Sequence, residues 1–295
     1  MSGSKLLSLS TLLIGLAGIA GIGLAGGQSA DREASVQREL AMQRPIEALD
    51  SVWIEELTWI EVRDAMAAGK TTAILTTGGI EQNGPYVATG KHNYELQGLC
   101  ERIARALDDA LCAPIIKLVP EGDINPPTGH MQYPGTISVR QETFEMMLDD
   151  AASSLQAHGF EHIAFLGASG GNQSGMRNVA ERVNQRWGAT IAHFIPEFYN
   201  PDDVIEYMNN ELGIVEENEG YHDYYWLTAM QMTVDPETVR YEQRVRAGKA
   251  SINGQSIADL EATLEVGNKL MQFRVDKTVK ALRAAIAAAK SADRP

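Results

Sequence analysis

Several side chains that can bind a metal ion or move a proton follow the first apolar run of the chain. Residues 80–95 read IEQNGPYVATGKHNYE and combine Glu, Gln, Asn, Lys and His with three Gly and Pro residues. The stretch lies between the apolar segment TAILTTG and a segment with helical periodicity. In α/β enzymes ligands bind in the loops at the carboxyl ends of strands. This spacing therefore predicts a functional site in the loop.

Three more polar segments accompany the first one. They are residues 120–138 (PEGDINPPTGHMQYPGTIS), 167–175 (GASGGNQSG) and 219–230 (EGYHDYYWLTAM). The first two follow predicted strands, and the third holds an unusual cluster of His, Asp and Tyr. Because the carboxyl ends of parallel strands meet at one edge of a sheet, we expect these segments to surround a common cleft.

The elements that position these loops alternate between strand and helix. Predicted strands TAILTTG, APIIKLVP, HIAFLGASGG and TIAHFIP are separated by amphipathic segments, and a long amphipathic segment, broken near Gly267, closes the chain. Such alternation predicts an α/β fold with a mostly parallel sheet covered by helices on both faces. We expect residues 51–295 to form a single domain, preceded by a mobile polar lead-in over residues 31–50.

The composition is that of a folded acidic protein. Of the 295 residues, 44% are hydrophobic and 22% are charged, and the formal net charge is −14. A strongly negative protein repels the phosphates of nucleic acid, so we expect no nucleic-acid partner.

Residues 1–30 predict export. One charge, Lys5, precedes about twenty small and apolar residues, and a polar stretch begins near Gln28. This pattern is typical of a cleaved signal peptide and predicts a periplasmic or extracellular protein. The alternative is an uncleaved membrane anchor, because the apolar run is long enough to cross a bilayer.

The two cysteines are predicted to be free. Cys100 lies on a predicted helix, and Cys112 lies beyond its end on the next strand. Roughly nine further helical residues at about 1.5 Å each would place the sulfur atoms beyond bonding distance. We therefore expect two buried thiols, although export would permit a disulfide.

Four segments resemble the creatininase (creatinine amidohydrolase) family. The family pattern Glu-x-His-Gly-Pro-His, followed by Gly-Thr-Asp, lies over EQNGPYVATGKH, and three further family blocks lie over YPGTIS, GASGGN and HDYYWLTA, in the family's order. The resemblance covers about residues 55 to 280. It implies a three-layer α/β/α fold, hydrolysis of a small amide with the help of two zinc or manganese ions, and a homo-oligomer, often a hexamer.

The resemblance also implies a role for individual positions. Glu81 keeps the first carboxylate ligand and His222 keeps the catalytic histidine. A histidine ligand is replaced by Asn83, the bridging aspartate by His92, and the histidine of the glycine turn by Ser169. We therefore predict at most one divalent ion, zinc or manganese, or none, with Glu81 and His92 as its ligands and His222 as the general acid or base.

A single ion on two ligands needs a third group, and the neighbouring loops can supply it. The candidates for this ligand are Glu121, Asp123, His130 and His222. The remaining candidate contacts to substrate or metal are Asn83, Ser169, Asn172, Asp223 and Tyr224. Ser169 and His222, with Asp223 beside them in sequence, would also make a nucleophile and base pair.

These observations predict an exported hydrolase that cleaves the C–N bond of a small amide or cyclic amide with a metal-activated water. The alternative is a catalytically inactive creatininase-like protein that uses the same cleft to bind a ligand.

Overall fold

The computed structural model describes residues 31–292. The predicted signal peptide, residues 1–30, lies outside this range. Residues 31–40 are helical and almost entirely exposed. None of the helices within the described part of the chain is long and apolar enough to cross a membrane.

The residues from Ala48 onward form one compact unit built on a four-stranded sheet. Its strands are β1 (Thr72–Thr77), β2 (Ala110–Cys112), β3 (His162–Gly167) and β4 (Ala192–Phe194). The helices are α1 (Trp59–Ala67), α2 (Lys91–Leu107), α3 (Gln141–Ala157), α4 (Gln173–Trp187), α5 (Pro201–Tyr207), α6 (Tyr225–Met232), α7 (Tyr241–Arg246) and α8 (Leu260–Ala292). A two-stranded hairpin, β5 (Ser251–Ile252) and β6 (Gln255–Ser256), lies between α7 and α8.

All four strands of the main sheet are parallel, in the order β2-β1-β3-β4. Every residue of β1 is buried, and its side chains alternate between two apolar layers. Ile74 packs in a layer with residues of α2, α6 and α8, whereas Ala73 and Leu75 pack in a layer with residues of α3 and α4. The predicted three-layer α/β/α fold is thereby confirmed.

The C-terminal helix is continuous, so the predicted break near Gly267 is wrong. Gly267 lies inside α8, where a Cβ atom would come within 2.2 Å of the Ala229 carbonyl oxygen on α6. The glycine therefore allows the backbones of two helices to approach closely.

The prediction of two free thiols is also wrong, because Cys100 and Cys112 form a disulfide with a Cα–Cα distance of 6.1 Å. The sequence argument placed both residues along one direction. In the structure Asp108 adopts a left-handed conformation at the end of α2 (φ 68°). The chain reverses there, and β2 returns alongside the helix until Cys112 lies beside Cys100.

We expect loss of this disulfide to lower the free energy of unfolding by about 3 kcal/mol. The bridge closes a loop with a sequence separation of 12. It lowers the conformational entropy of the unfolded chain, and this accounts for an effect of this size. Urea titration of the Cys100→Ala/Cys112→Ala variant measures it. A variant as stable as the parent would contradict the prediction.

Two buried histidines lie near the amino ends of β3 and the edge strand β4, far from the polar loops. His162 begins β3 and His193 lies in β4, and their Nδ1 and Nε2 atoms are 3.1 Å apart. Burial, together with the neighbouring His162, lowers the pKa of His193 to about 4. A neutral imidazole is therefore favoured in the folded protein.

We expect this pair to make the protein less stable in acid. Between pH 6.5, the ordinary pKa of histidine, and about 4, the unfolded chain binds a proton that folded His193 does not. Stability should therefore fall by about 3 kcal/mol as the pH decreases across this window. Unfolding measured by urea at several pH values tests this, with His193→Phe expected to flatten the dependence. His158→Asn, at an exposed histidine, is the control and should leave the pH dependence unchanged.

Candidate active site and metal centre

The predicted loops converge on a cavity of about 580 Å³ at the carboxyl ends of β1 and β3. Its polar lining includes Glu81, Lys91, Glu121, His130, Ser169 and His222. Apolar and aromatic side chains complete the wall, among them Tyr199, Tyr224 and Trp226. The prediction of a common cleft from loops far apart in sequence agrees with this arrangement.

Glu81 is the centre of the charged groups in this cavity. Only 2% of the residue is exposed, and its Oε1 atom accepts a hydrogen bond of 2.9 Å from His92 Nε2 and lies 3.7 Å from Lys91 Nζ. Its other oxygen, Oε2, lies 3.3 Å from His130 Nε2. Burial alone would raise the pKa of Glu81. The hydrogen bond from His92 and the charges of His92, Lys91 and His130 outweigh burial and hold the pKa well below its usual range.

His222 completes a cluster with Glu81 and His130. One ligand atom from each of the three side chains lies within 4.8 Å of the other two, and the two imidazole ring centres are 4.4 Å apart. The Nδ1 atom of His222 donates a hydrogen bond of 3.0 Å to the Gln82 carbonyl oxygen, which leaves Nε2 available as a ligand. Burial lowers the pKa of His222, so the imidazole is neutral and able to bind a metal.

The loop that carries His222 is fixed by side chains that the sequence did not single out. The Glu216 carboxylate accepts hydrogen bonds from the backbone amides of Tyr225 and Trp226 at the start of α6. Asn253, in the β5–β6 hairpin, donates from Nδ2 both to Glu216 and to the Asp223 carbonyl oxygen. Glu216 and Asn253 belong to no recognisable sequence motif, so their role is apparent only from the fold.

Gly84 connects this loop to the first polar segment. Its amide donates a hydrogen bond of 2.9 Å to the Tyr221 carbonyl oxygen. Its φ of +50° is left-handed, and a Cβ atom there would lie 2.5 Å from Asp223 Oδ2. Glycine is therefore required where residues 82–84 and 221–223 meet.

Glu121 lies beside Glu81 with its carboxyl in the cavity. Its backbone amide donates a hydrogen bond to the Ser138 hydroxyl, and its Oε1 atom is buried without a hydrogen-bond partner among residues 31–292. The missing side chain of Gly79 leaves room for that oxygen, since a Cβ atom there would lie 2.2 Å from it. Burial and the adjacent charge of Glu81 raise the pKa of Glu121 to about 9, so this carboxyl carries a proton at neutral pH.

Three of the other predicted site residues have mainly structural contacts. Asn172 Nδ2 donates to the backbone oxygens of Thr77 and Gly78 and fixes the end of β1. Asn83 Nδ2 donates to the Glu81 carbonyl oxygen. Asp123 is exposed and accepts a hydrogen bond from Thr128 within its own loop. None of the three lies in the wall of the cavity.

Ser169, Asp223 and Tyr224 lie at or near the cavity. Ser169 lines it, but in the described structure its hydroxyl makes no hydrogen bond to an imidazole, so the nucleophile and base pair is not assembled. Asp223 is buried, and burial raises the pKa of its carboxyl. Tyr224 lines the cavity, with its ring 6.1 Å from that of His222.

Sequence reasoning missed a set of ionisable side chains next to Glu81, formed by His92, Glu95 and Arg274. His92 Nδ1 lies 3.7 Å from Glu95 Oε2, and Glu95 Oε1 lies 3.4 Å from Arg274 Nη1. Glu95 falls on the same face of α2 as His92 because the two are three residues apart. That spacing could have suggested the contact between His92 and Glu95, whereas Arg274, the partner of Glu95 on α8, could not have been inferred.

Comparison with known proteins agrees with the fold and its loops. The sequence model of the creatininase family, described as creatinine amidohydrolase, matches residues 55–282. The chain belongs to the creatininase family. No match was found among curated proteins.

Solved structures of creatininases share the fold. A structure described as creatininase Mn is 20% identical with a TM-score of 0.59, and covers 80% of this chain and 98% of its own. A mutant creatininase of the Zn-Zn type is 19% identical with a TM-score of 0.59 and the same coverage. A further creatinine amidohydrolase is 18% identical with a TM-score of 0.54, over 84% of this chain and 100% of its own.

The residues of this creatininase-family chain fit one divalent ion. Glu81, His130 and His222 offer one carboxylate and two imidazoles, a ligand set found at catalytic zinc sites. The hydrogen bond from His222 Nδ1 to a backbone carbonyl is the contact that orients a metal-binding imidazole. This set differs from the predicted ligand pair. Glu81 is common to both, but His92 binds the opposite oxygen of Glu81 and lies outside the three-residue cluster.

Proposed function

We propose that this chain is a hydrolase that cleaves the C–N bond of a small amide or cyclic amide with one divalent ion, zinc or manganese. The observation that carries the proposal is the convergence of Glu81, His130 and His222 at the wall of the cavity. Family membership supports the reaction class, and the cavity of about 580 Å³ suits a small molecule.

Three side chains of the cavity would bind the ion, and a different one would transfer the proton. A divalent ion held by the three ligands would polarise an amide carbonyl and activate water near neutral pH. Glu81 would supply the negative charge for the ion, and His130 and His222 would each supply an imidazole nitrogen. His222 was predicted as the acid or base, but its Nδ1 atom donates to the Gln82 carbonyl oxygen, and in this proposal its Nε2 atom would bind the ion.

We assign the proton transfer to Glu121. Its carboxyl lines the cavity beside Glu81, and burial together with the charge of Glu81 raises its pKa to about 9. A protonated carboxyl in this place can donate to the nitrogen that departs from the amide carbon.

Metal removal and a substrate screen test the proposal. The purified chain is stripped with a chelator, reloaded with zinc or manganese, and assayed against small lactams, cyclic ureas and N-acyl compounds. We expect hydrolysis of at least one class that disappears with the metal and returns on reloading. A fully loaded protein that binds panel members without hydrolysing any would favour the inactive binding protein, and activity that survives stripping, with a trapped acyl-enzyme, would favour Ser169 as nucleophile.

We also propose that the protein is exported. The signal-like pattern of residues 1–30 supports this, and so does the Cys100–Cys112 disulfide, because such bonds persist in oxidising compartments. Assembly into a homo-oligomer, as implied by the resemblance, remains a prediction for light scattering to test.

Export predicts a shortened chain outside the cytoplasm. Intact-mass measurement on protein from the native host should give an N-terminus near Gln28 or Asp31. Without reductant, the mass should also correspond to an intact disulfide between Cys100 and Cys112. A full-length chain in the membrane fraction would support the uncleaved anchor instead.

A further inference from the structure

The first residue of α2, Lys91, places a buried amine in the cavity wall, where burial lowers its pKa and the charges of Glu81 and Glu95 oppose that shift. The Lys91 side chain is only 2% exposed, and its ammonium lies 3.7 Å from Glu81 Oε1. Among the described residues, Glu81 is the one carboxylate within 4.0 Å of it. Lysine is rarely buried without a reason, because its charge must be compensated. Since an ammonium has three N–H groups, one carboxylate does not use its full capacity as a donor.

The two oxygens of Glu81 face different partners. Lys91 and His92 both lie at Oε1, whereas His130 lies at Oε2, on the side where the candidate ligands converge. In sites with two metal ions the ions are about 3.5–4 Å apart. The resemblance places the ligand that bridges two ions at the position of His92. Here that imidazole bonds Glu81 Oε1 beside Lys91, so the side of Glu81 where a second ion would lie is already filled.

We propose that the Lys91 ammonium takes the place of a second metal ion, so that one divalent ion and one lysine cation lie side by side on Glu81. The inference rests on the proposed function, in which Glu81, His130 and His222 hold that ion. It separates this chain from the Zn-Zn type creatininase that shares its fold. The lysine would also supply N–H donors to a carbonyl or carboxylate oxygen of the substrate in the cavity.

Metal content and metal affinity of Lys91 variants test the inference without an activity assay. The full chain and its variants are stripped and titrated with zinc, and bound metal is counted by elemental analysis after gel filtration. Lys91→Met removes the amine and leaves an unbranched side chain one atom shorter, and Lys91→Asp replaces the amine with a carboxylate. Lys70→Met is the matched control, because it changes the net charge equally at a partly exposed lysine that donates to the Asp108 carbonyl oxygen.

We expect one zinc ion per chain in the wild type and in Lys70→Met. Lys91→Met should bind its ion roughly tenfold more tightly or better, since a positive charge beside the ion is gone. Lys91→Asp should bind two ions. Two ions in the wild type would overturn the inference, and so would a folded Lys91→Met protein that binds zinc no more tightly than the wild type. No zinc in the wild type or in any variant would instead refute the metal site of the proposed function.

Discussion

Replacing Glu81 with glutamine is expected to remove the bound ion and to lower turnover by roughly 10³-fold or more. Glu81 provides the carboxylate among the three candidate ligands, and the neutral amide cannot balance the charge of a divalent ion. The loss of that Lewis acid costs several kcal/mol of transition-state stabilisation. Elemental analysis gives the metal content, and kcat is measured on the substrate found in the screen.

The control for this change is Glu145→Gln. It makes the same isosteric substitution at a carboxylate that pairs with Arg182 on the surface formed by α3 and α4. We expect wild-type metal content and turnover from it. Glu81→Gln also leaves Lys91 buried without its carboxylate, so its unfolding is measured in parallel. A folded Glu81→Gln protein with one full equivalent of zinc would show that the ion binds elsewhere.

Glu121→Gln is expected to lower turnover by about 10²–10⁴-fold, the usual contribution of a positioned acid or base. Glutamine keeps the shape of the side chain but cannot donate a carboxyl proton to the departing nitrogen. Metal content should remain at the wild-type value, because Glu121 is not part of the three-residue ligand cluster. This combination separates the Glu121 variant from the Glu81 variant.

Asp123→Asn is the matched control for Glu121. It lies two residues away on the same loop, but its carboxylate is exposed and bonded to Thr128. We expect turnover within a few-fold of the wild type. If Glu121→Gln were equally mild, the proton donor would have to be another cavity group, such as Tyr199 or Tyr224.

The sequence was sufficient for β1, β3 and β4 and for the four longest helices, but the second strand, predicted at residues 113–120, is wrong because β2 is Ala110–Cys112. Short apolar runs such as TAILTT and HIAFLG are typical of a strand that is buried on both faces, and β1 and β3 were therefore predicted correctly. The disulfide and the unbroken α8 were missed for a different reason. The disulfide depends on the chain reversal at Asp108, and the unbroken helix depends on the close backbone approach at Gly267. Neither feature leaves a periodic pattern in the sequence.

The candidate site was predictable only in part. Glu81 lies in the short loop that follows β1, which ends at Thr77, so the fold fixes its place at the sheet edge. His130 belongs to the irregular segment after β2, within the short 3-10 turn Gly129–Gln132, and its contact with Glu81 depends on the path of the whole loop. His92 illustrates a further limit. The residue types indicated a ligand, and in the structure its imidazole bonds Oε1 of Glu81, whereas His130 lies at Oε2.

The position of the His162–His193 pair allows acid tolerance to be engineered without altering catalysis. The pair lies at the amino ends of β3 and β4, and the candidate metal centre lies beyond their carboxyl ends, so the six residues of β3, roughly 20 Å of strand, separate them. Replacement of His193 by an apolar residue would remove the group that must gain a proton on unfolding in acid, while the ligands of the ion remain in place. A variant of this kind could retain its fold in an acidic environment and still use the wild-type active site.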